Sequence, residues 1–223
     1  MILDIDTRPS DSPFVEMIYR TRSIGGGSFT SIATTQWELV ITKQKGNITL
    51  SLRGPETKAS PAPIPEDADF LGIIFKHGTF MPRLPGSKLV DEEIHLPETA
   101  KNSFQLFGDT LEFPTFENVE PFVSRLIRKD LLTHDQVVGD VLRGKTHPLS
   151  LRSIQRRFLH VTGLTYKSIQ QIERARQALT LLQSGLPISE TAYQTGYFDQ
   201  SHLTRSVKLL LGQTPAQIAK SSE

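Results

Sequence analysis

Two stretches of this chain carry side chains whose types and spacing could do chemistry. In residues 151–161, LRSIQRRFLHV, Arg152, Gln155 and Arg156 fall at i, i+3 and i+4, on one face of a helix. In Gln200–Leu211, QSHLTRSVKLLL, the residues Gln200, Ser201, Thr204, Arg205 and Lys208 make a second outward stripe rich in donors. Guanidinium and amide groups placed this way can pair with guanine O6/N7, with adenine N6/N7, or with phosphate. The same spacing also describes an ordinary solvated helix face, so the elements that frame each stripe decide between the two.

Those elements repeat. Ser150 is placed to cap the first helix and Gly163 to end it, with Leu151, Ile154, Phe158 and Val161 predicted to face inward. Ahead of it lie a short helix candidate at 135–142, weakened by Gly139, and a loop at 143–148. Further on, Pro187 opens a short helix with Ile188, Thr191, Ala192 and Thr195 inward, and Gly196 makes a turn. Asp199 then caps the second basic helix, whose inward residues are Leu203, Val207, Leu210 and Leu211 and whose stop is Gly212. Between the two sets runs 165–184, TYKSIQQIERARQALTLLQS, the strut on which the organisation turns. Its stripe of Ile169, Ile172, Ala175, Ala178, Leu179 and Leu182 predicts one buried face, with Lys167, Glu173, Arg174 and Gln177 outside, Thr165 as cap and Gly185 as stop. Such a helix is roughly 27–30 Å long, against roughly 34 Å for one turn of DNA. Short helix, turn and basic second helix is the helix-turn-helix plan, present here twice.

Residues 149–163, LSLRSIQRRFLHVTG, and 188–215, ISETAYQTGYFDQSHLTRSVKLLLGQTP, closely resemble the paired helix-turn-helix domain of AraC/XylS-type transcriptional regulators. The second stretch matches at Ala192, Gly196-Tyr197, Asp199-Gln200-Ser201-His202, Arg205, Gly212 and Thr214-Pro215, and the resemblance covers roughly residues 130–220. It implies that both second helices enter adjacent major-groove segments, with Arg152, Gln155 and Arg156 as contacts in the first and Gln200, Ser201, Thr204 and Arg205 in the second. Three features depart from the family pattern. Thr191 and Thr195 replace aliphatic residues, Val207 replaces a Phe, and Leu209-Leu210-Leu211 replaces a more basic, aromatic end.

Charge divides along the chain. Residues 1–118 hold 11 Lys and Arg against 16 Asp and Glu, whereas residues 119–223 hold 14 against 8, so the overall +1 hides a basic C-terminal half suited to phosphate. With no Cys there is no disulfide, thiolate or zinc-thiolate chemistry. The N-terminus, MILDIDTRPSDSPF, is acidic where a signal peptide is basic, and no apolar run approaches the roughly 18 residues that span a bilayer. These features predict a cytoplasmic protein with no membrane partner.

The first half reads as strands and turns. Candidates are 14–21, 36–42, 47–53 (NITLSLR, with Ile48, Leu50 and Leu52 alternating) and 70–76, the middle two forming a hairpin around Gln44-Lys45-Gly46. Gly25-Gly26-Gly27 reads as a flexible break, and 54–69, with Pro55, Pro61, Pro63 and Pro65, as too Pro-rich for an element. Residues 99–107 suggest an amphipathic helix ending at Gly108, 116–130 a stronger one with Pro121 in its first turns, and 109–115 the domain joint. His77 and His95 lack a ligand partner at metal-binding spacing and read as solvent-facing loop residues, and Asp91, Glu92 and Glu93 read as a solvated turn. Trp37, Phe75, Phe80 and Met81 could line a ligand pocket, though such residues more often fill a core.

The predicted fold is α+β. Residues 1–112 form a small antiparallel β-sheet or, as the resemblance implies, a cupin-like barrel for effector binding or dimerisation. Residues 116–223 form an all-α domain with two helix-turn-helix units and a linker helix. The expected function is sequence-specific transcriptional regulation with double-stranded DNA as partner, leaving open a small-molecule effector acting at Trp37, Phe75 and Phe80, and a homodimer. No catalytic residue, cofactor or metal site is expected. Two alternatives stay open: a cupin-like metal-dependent enzyme fused to a DNA-binding domain, and a protein-binding adaptor.

Overall fold

The computed structural model describes residues 4–220 other than Pro97 and Lys101, so the first three residues of the acidic N-terminus lie outside it. In chain order the strands are β1 (Asp4–Arg8), β2 (Val15–Arg22), β3 (Gly27–Ser31), β4 (Glu38–Gln44), β5 (Asn47–Arg53), β6 (Ser60–Ile64), β7 (Ala68–Phe75), β8 (Thr79–Phe80), β9 (Glu93–Leu96), β10 (Glu98–Ala100), β11 (Ser103–Leu106), β12 (Asp109–Glu112) and β13 (Thr133–His134). The helices are α1 (Val119–Arg128), α2 (Gln136–Leu142), α3 (Leu151–Thr162), α4 (Tyr166–Gln183), α5 (Ile188–Gln194), α6 (Gln200–Leu211) and α7 (Pro215–Lys220). The architecture is an antiparallel β-sheet part followed by a helical part.

Contacts divide the chain into two units. One holds the described residues up to Gly27, Gln36–Pro55 and Pro63–Thr165; the other holds Ser28–Thr35, Glu56–Ala62 and the chain from Tyr166 onward.

In the first unit, six antiparallel strands lie in the open order β1-β2-β7-β4-β5-β9. The β4–β5 hairpin turns on Lys45 (φ 50°) and Gly46 (φ 83°), the left-handed pair that a two-residue turn between twisted strands requires. Alternation puts Ile18, Leu39, Leu50, Leu52 and Ile73 on one face, where they share a core with Phe104, Leu106 and Leu111. Helix α1 closes that core with Val119, Phe122, Val123 and Leu126, a clean i, i+3, i+4, i+7 stripe. Each such side chain contributes about 1.5–3 kcal/mol by leaving water.

Three expectations fail here. The helix expected over 99–107 is instead β10 and β11, which pair with β12 in a three-stranded meander. Phe104 and Leu106 are buried on either side of exposed Gln105, a period of two, and Phe107 (φ 51°) with Gly108 (φ 94°) makes a hairpin turn rather than a helix stop. The joint expected at 109–115 runs through β12, with Leu111 and Phe113 in the core, so the packing units do not follow a 1–112 and 116–223 division. The Pro-rich stretch at 54–69 contains β6, which pairs with β3 in a two-stranded ribbon. Proline lacks a donor, and such a two-stranded edge tolerates it where a central strand would not.

The second unit is helical, and the ribbon segments belong to it. Helix α4 buries Ile169, Ile172, Ala175, Ala178 and Leu182 as its periodicity predicts, and Gly185 follows at φ 84°. The amide of Ala33 donates to Leu210 O at 2.8 Å and that of Ala59 to Leu209 O at 2.9 Å, satisfying carbonyls that the end of α6 leaves open. Thr35 Oγ1 donates to Glu173 at 2.5 Å, and Arg176 donates to Ala33 O at 3.3 Å.

Candidate nucleic-acid interface

Each basic helix is started and stopped by the residues expected. Ser150 Oγ accepts from the Ser153 amide at 3.2 Å, and Asp199 Oδ1 from the His202 amide at 2.6 Å. Gly163 and Gly212 both sit at φ 75°, left-handed, where a side chain is strained.

In α3 the buried residues are Phe158, Val161 and Thr162, with Ile154 partly covered. Leu151, expected inward, is instead 78% exposed. It is the first residue after the cap, so no preceding turn covers it, and it continues the outward stripe of Gln155 and Leu159. Arg152, Gln155 and Arg156 are exposed, and their side chains engage no hydrogen-bonding or ionic partner among the described residues. Arg157 differs: it pairs with Asp135 at 2.5 Å, and the other oxygen of Asp135 caps α2. The structure thus separates two uncommitted guanidiniums from a structural one.

The loop entering α3 is built on Asp140, which is 5% exposed and takes Arg143 at 2.6 Å and Lys145 at 3.1 Å. Hydrogen bonds from Lys145 and Arg143 hold its carboxyl down at about 2.

In α6, Leu203, Val207, Leu210 and Leu211 are buried as predicted. Gln200, Ser201 and Arg205 are exposed with uncommitted side chains, again among the described residues. Thr204 is half-buried and its hydroxyl donates to Gln200 O at 2.8 Å, which leaves its oxygen lone pairs as acceptors. Thr191 and Thr195, the departures in α5, are buried, and Thr195 Oγ1 donates back to Thr191 O at 2.5 Å, so the hydroxyl is satisfied inside the helix. Tyr197 anchors the turn: its OH meets Ser206 Oγ at 2.9 Å, and Arg174 lies 5.6 Å over its ring.

Residues 146–221 match the family model described as a helix-turn-helix domain. These residues are a helix-turn-helix domain, the kind expected from their resemblance to AraC/XylS-type regulators. The match spans α3 to α7, so it includes both outward stripes. The HTH-type transcriptional regulator RipA of Corynebacterium diphtheriae is 29% identical over 112 residues, 50% of this chain and 33% of that protein. The chain therefore matches about a third of that regulator's length. A solved structure of ToxT from Vibrio cholerae aligns over 97% of this chain and 98% of its own at 10% identity and a TM-score of 0.41. An apo ToxT variant aligns over 97% and 100% at 11% and 0.44. TM-scores below 0.5 transfer neither ligand nor mechanism.

The three aromatic residues named as ligand-lining are placed differently from one another. Trp37 stacks on Phe75 with centroids 4.1 Å apart, and its Nε1 donates to Thr79 O at 2.8 Å. Phe75 is fully buried beneath it. Trp37 and Phe80, but not Phe75, line a gap of about 10 Å³ shared with Met81, Leu89 and Val161, room for at most one water. His95, expected in a loop, is in β9, its Nδ1 2.9 Å from Ser51 Oγ. Among the described residues, no group of three or more His, Asp or Glu side chains is placed to hold a metal, and no helix is long and apolar enough to cross a membrane.

Proposed function

We propose that this protein is a sequence-specific DNA-binding transcriptional regulator in which α3 and α6 read adjacent major-groove segments. The observation that carries the reading is the pair of capped, twelve-residue helices, each presenting side chains with donors left uncommitted by the fold. Arg152, Gln155 and Arg156 would contact DNA from α3, and Gln200, Ser201, Thr204 and Arg205 from α6. Helix α4, with 18 residues and roughly 27 Å of length, joins the two readers. Residues 146–221 supply the DNA-binding part, and the six-stranded sheet modulates it through a second copy of the chain or a small effector. The gap beside Trp37 and Phe80 touches Val161 of α3, so an apolar effector that widened it would act on the first reader directly.

The test is selection of duplexes from a random pool by the purified full-length protein at near-physiological salt. A bipartite motif with halves about one turn apart is expected, with log affinity falling linearly in log salt as counterions are released. Absence of any enriched motif, or binding indifferent to salt, overturns the reading.

A further inference from the structure

An apolar side chain stands at the leading end of the first reader. Leu151 is 78% exposed, directly after the cap of α3, and is flanked by the uncommitted Arg152, Gln155 and Arg156. A leucine left in water gains nothing for the fold; beside it Arg152, Gln155 and Arg156 suit an anionic, hydrogen-bonding partner, while Leu159 continues the exposed apolar stripe two turns on. In the second reader, Gln200 holds the same first position after the cap, so exposure there does not require an apolar residue.

We infer that Leu151 is a specificity-determining residue that packs against the 5-methyl group of a thymine in the major groove. This rests on the proposed DNA reading. The first residues of a recognition helix are those that reach base edges, and the thymine methyl is the one apolar feature displayed there. Arg152 and Arg156 supply the charge complementarity that holds the helix in the groove. Leu151 and Gln155 lie on one stripe, four residues or about 6 Å apart along the axis. At roughly 3.4 Å per base pair, the thymine therefore falls about two steps from the base that Gln155 addresses.

The experiment uses the full-length protein and the duplex it selects. Each thymine of the site is replaced in turn by deoxyuridine, which removes only the methyl, and binding is measured for the wild type, Leu151→Ala and Leu151→Thr. One position is expected at which deoxyuridine weakens wild-type binding about fourfold, the share of one buried methyl. Leu151→Ala should weaken the unmodified site to a similar degree and be indifferent to deoxyuridine at that position, while Leu151→Thr, which keeps a methyl, should retain part of the dependence. The exposed position leaves folding intact, checked by an unchanged thermal midpoint.

A selected site with no methyl-dependent thymine, or one whose dependence survives in Leu151→Ala, overturns the inference and leaves the DNA reading standing. Loss of self-association in Leu151→Ala with base preference unchanged assigns the leucine to an interface between copies, which also overturns it. Failure to select any duplex removes the DNA reading and this inference together.

Discussion

The helices α3 and α6 begin and end alike but are held by different surroundings. Each has twelve residues, an oxygen cap in front and a glycine at φ 75° behind. Eight residues after its cap, α3 buries Phe158 and α6 buries Val207, both fully covered. Behind α3, a Cβ at Gly163 would meet the Val90 side chain at 2.5 Å and the backbone of Gly86 at 2.6 Å; behind α6, one at Gly212 would meet the side chain of Thr30 at 2.7 Å and Ala59 at 3.2 Å. Both stops are tightly enclosed, the first by main chain as well as a side chain and the second by short side chains alone. The outward faces differ too. Leu151, Arg152, Gln155, Arg156 and Leu159 offer two guanidiniums amid apolar surface, whereas the stripe of Gln200, Ser201, Thr204, Arg205 and Lys208 is polar, with exposed Phe198 and Leu209 to either side of it in the chain.

The largest test of that contrast is in the two cores. Phe158→Ala should cost about 3–5 kcal/mol, and Val207→Ala about 2 kcal/mol, in urea unfolding followed by probes local to each unit. Equal losses would mean that the smaller side chain of Val207 is the more tightly packed, atom for atom. Next come the glycines. Gly163→Ala combines a left-handed backbone with a main-chain clash and should cost about 3 kcal/mol, against about 1–2 kcal/mol for Gly212→Ala. A larger loss at Gly212 would mean that the stop of α6 is the more tightly enclosed of the two.

On DNA, Arg156→Ala and Arg205→Ala should each weaken binding by about 1–3 kcal/mol and relax base choice, while Lys208→Ala should weaken all sequences alike and lower the salt slope by about 1. Titrations at several salt concentrations separate the two behaviours. Base choice relaxed by the Arg156 variant alone would confine sequence reading to α3.

The smallest effect concerns acid. Asp140, ordinarily near 3.8, is held at about 2 in the folded protein, so its stabilisation of the loop into α3 is complete above pH 4 and is lost as pH falls through about 2. Amide resonances of residues 143–150 should stay dispersed to about pH 3 and collapse below it. In Asp140→Asn they should already be broadened at neutral pH, and an unchanged spectrum in that variant would mean that the ion pairs do not order the loop.

Much of this was legible in the sequence where a single period runs uninterrupted. The α4 stripe, the inward face of α6 and the whole of β5 follow directly from spacing, because one face of each is buried along its full length. Residues 98–112 were not legible: short strands of three and four residues give too few repeats to distinguish a period of two from one of 3.6. Nor was β6, since Pro61 and Pro63 argue against a strand until a lone partner such as β3 is known. Leu151 was misplaced because the periodic rule assumes a wall beside every turn, and the first turn of α3 has none. The donors of the candidate interface were readable by type. That Arg157 is committed to Asp135 while Arg152 and Arg156 are not could come only from coordinates.

The ribbon of β3 and β6 has a consequence for how the second unit comes into being. Its bonds to α4 join residues 138 and 143 positions apart, so this unit closes over a very long loop of chain. During synthesis the ribbon strands leave the ribosome well before α4 and α6 exist. The last carbonyls of α6 can find Ala33 and Ala59 only after the long stretch of chain between the ribbon and α6 has emerged. Helix α6 therefore matures after the sheet, and a nascent chain that stalls early carries a ribbon with no completed partner.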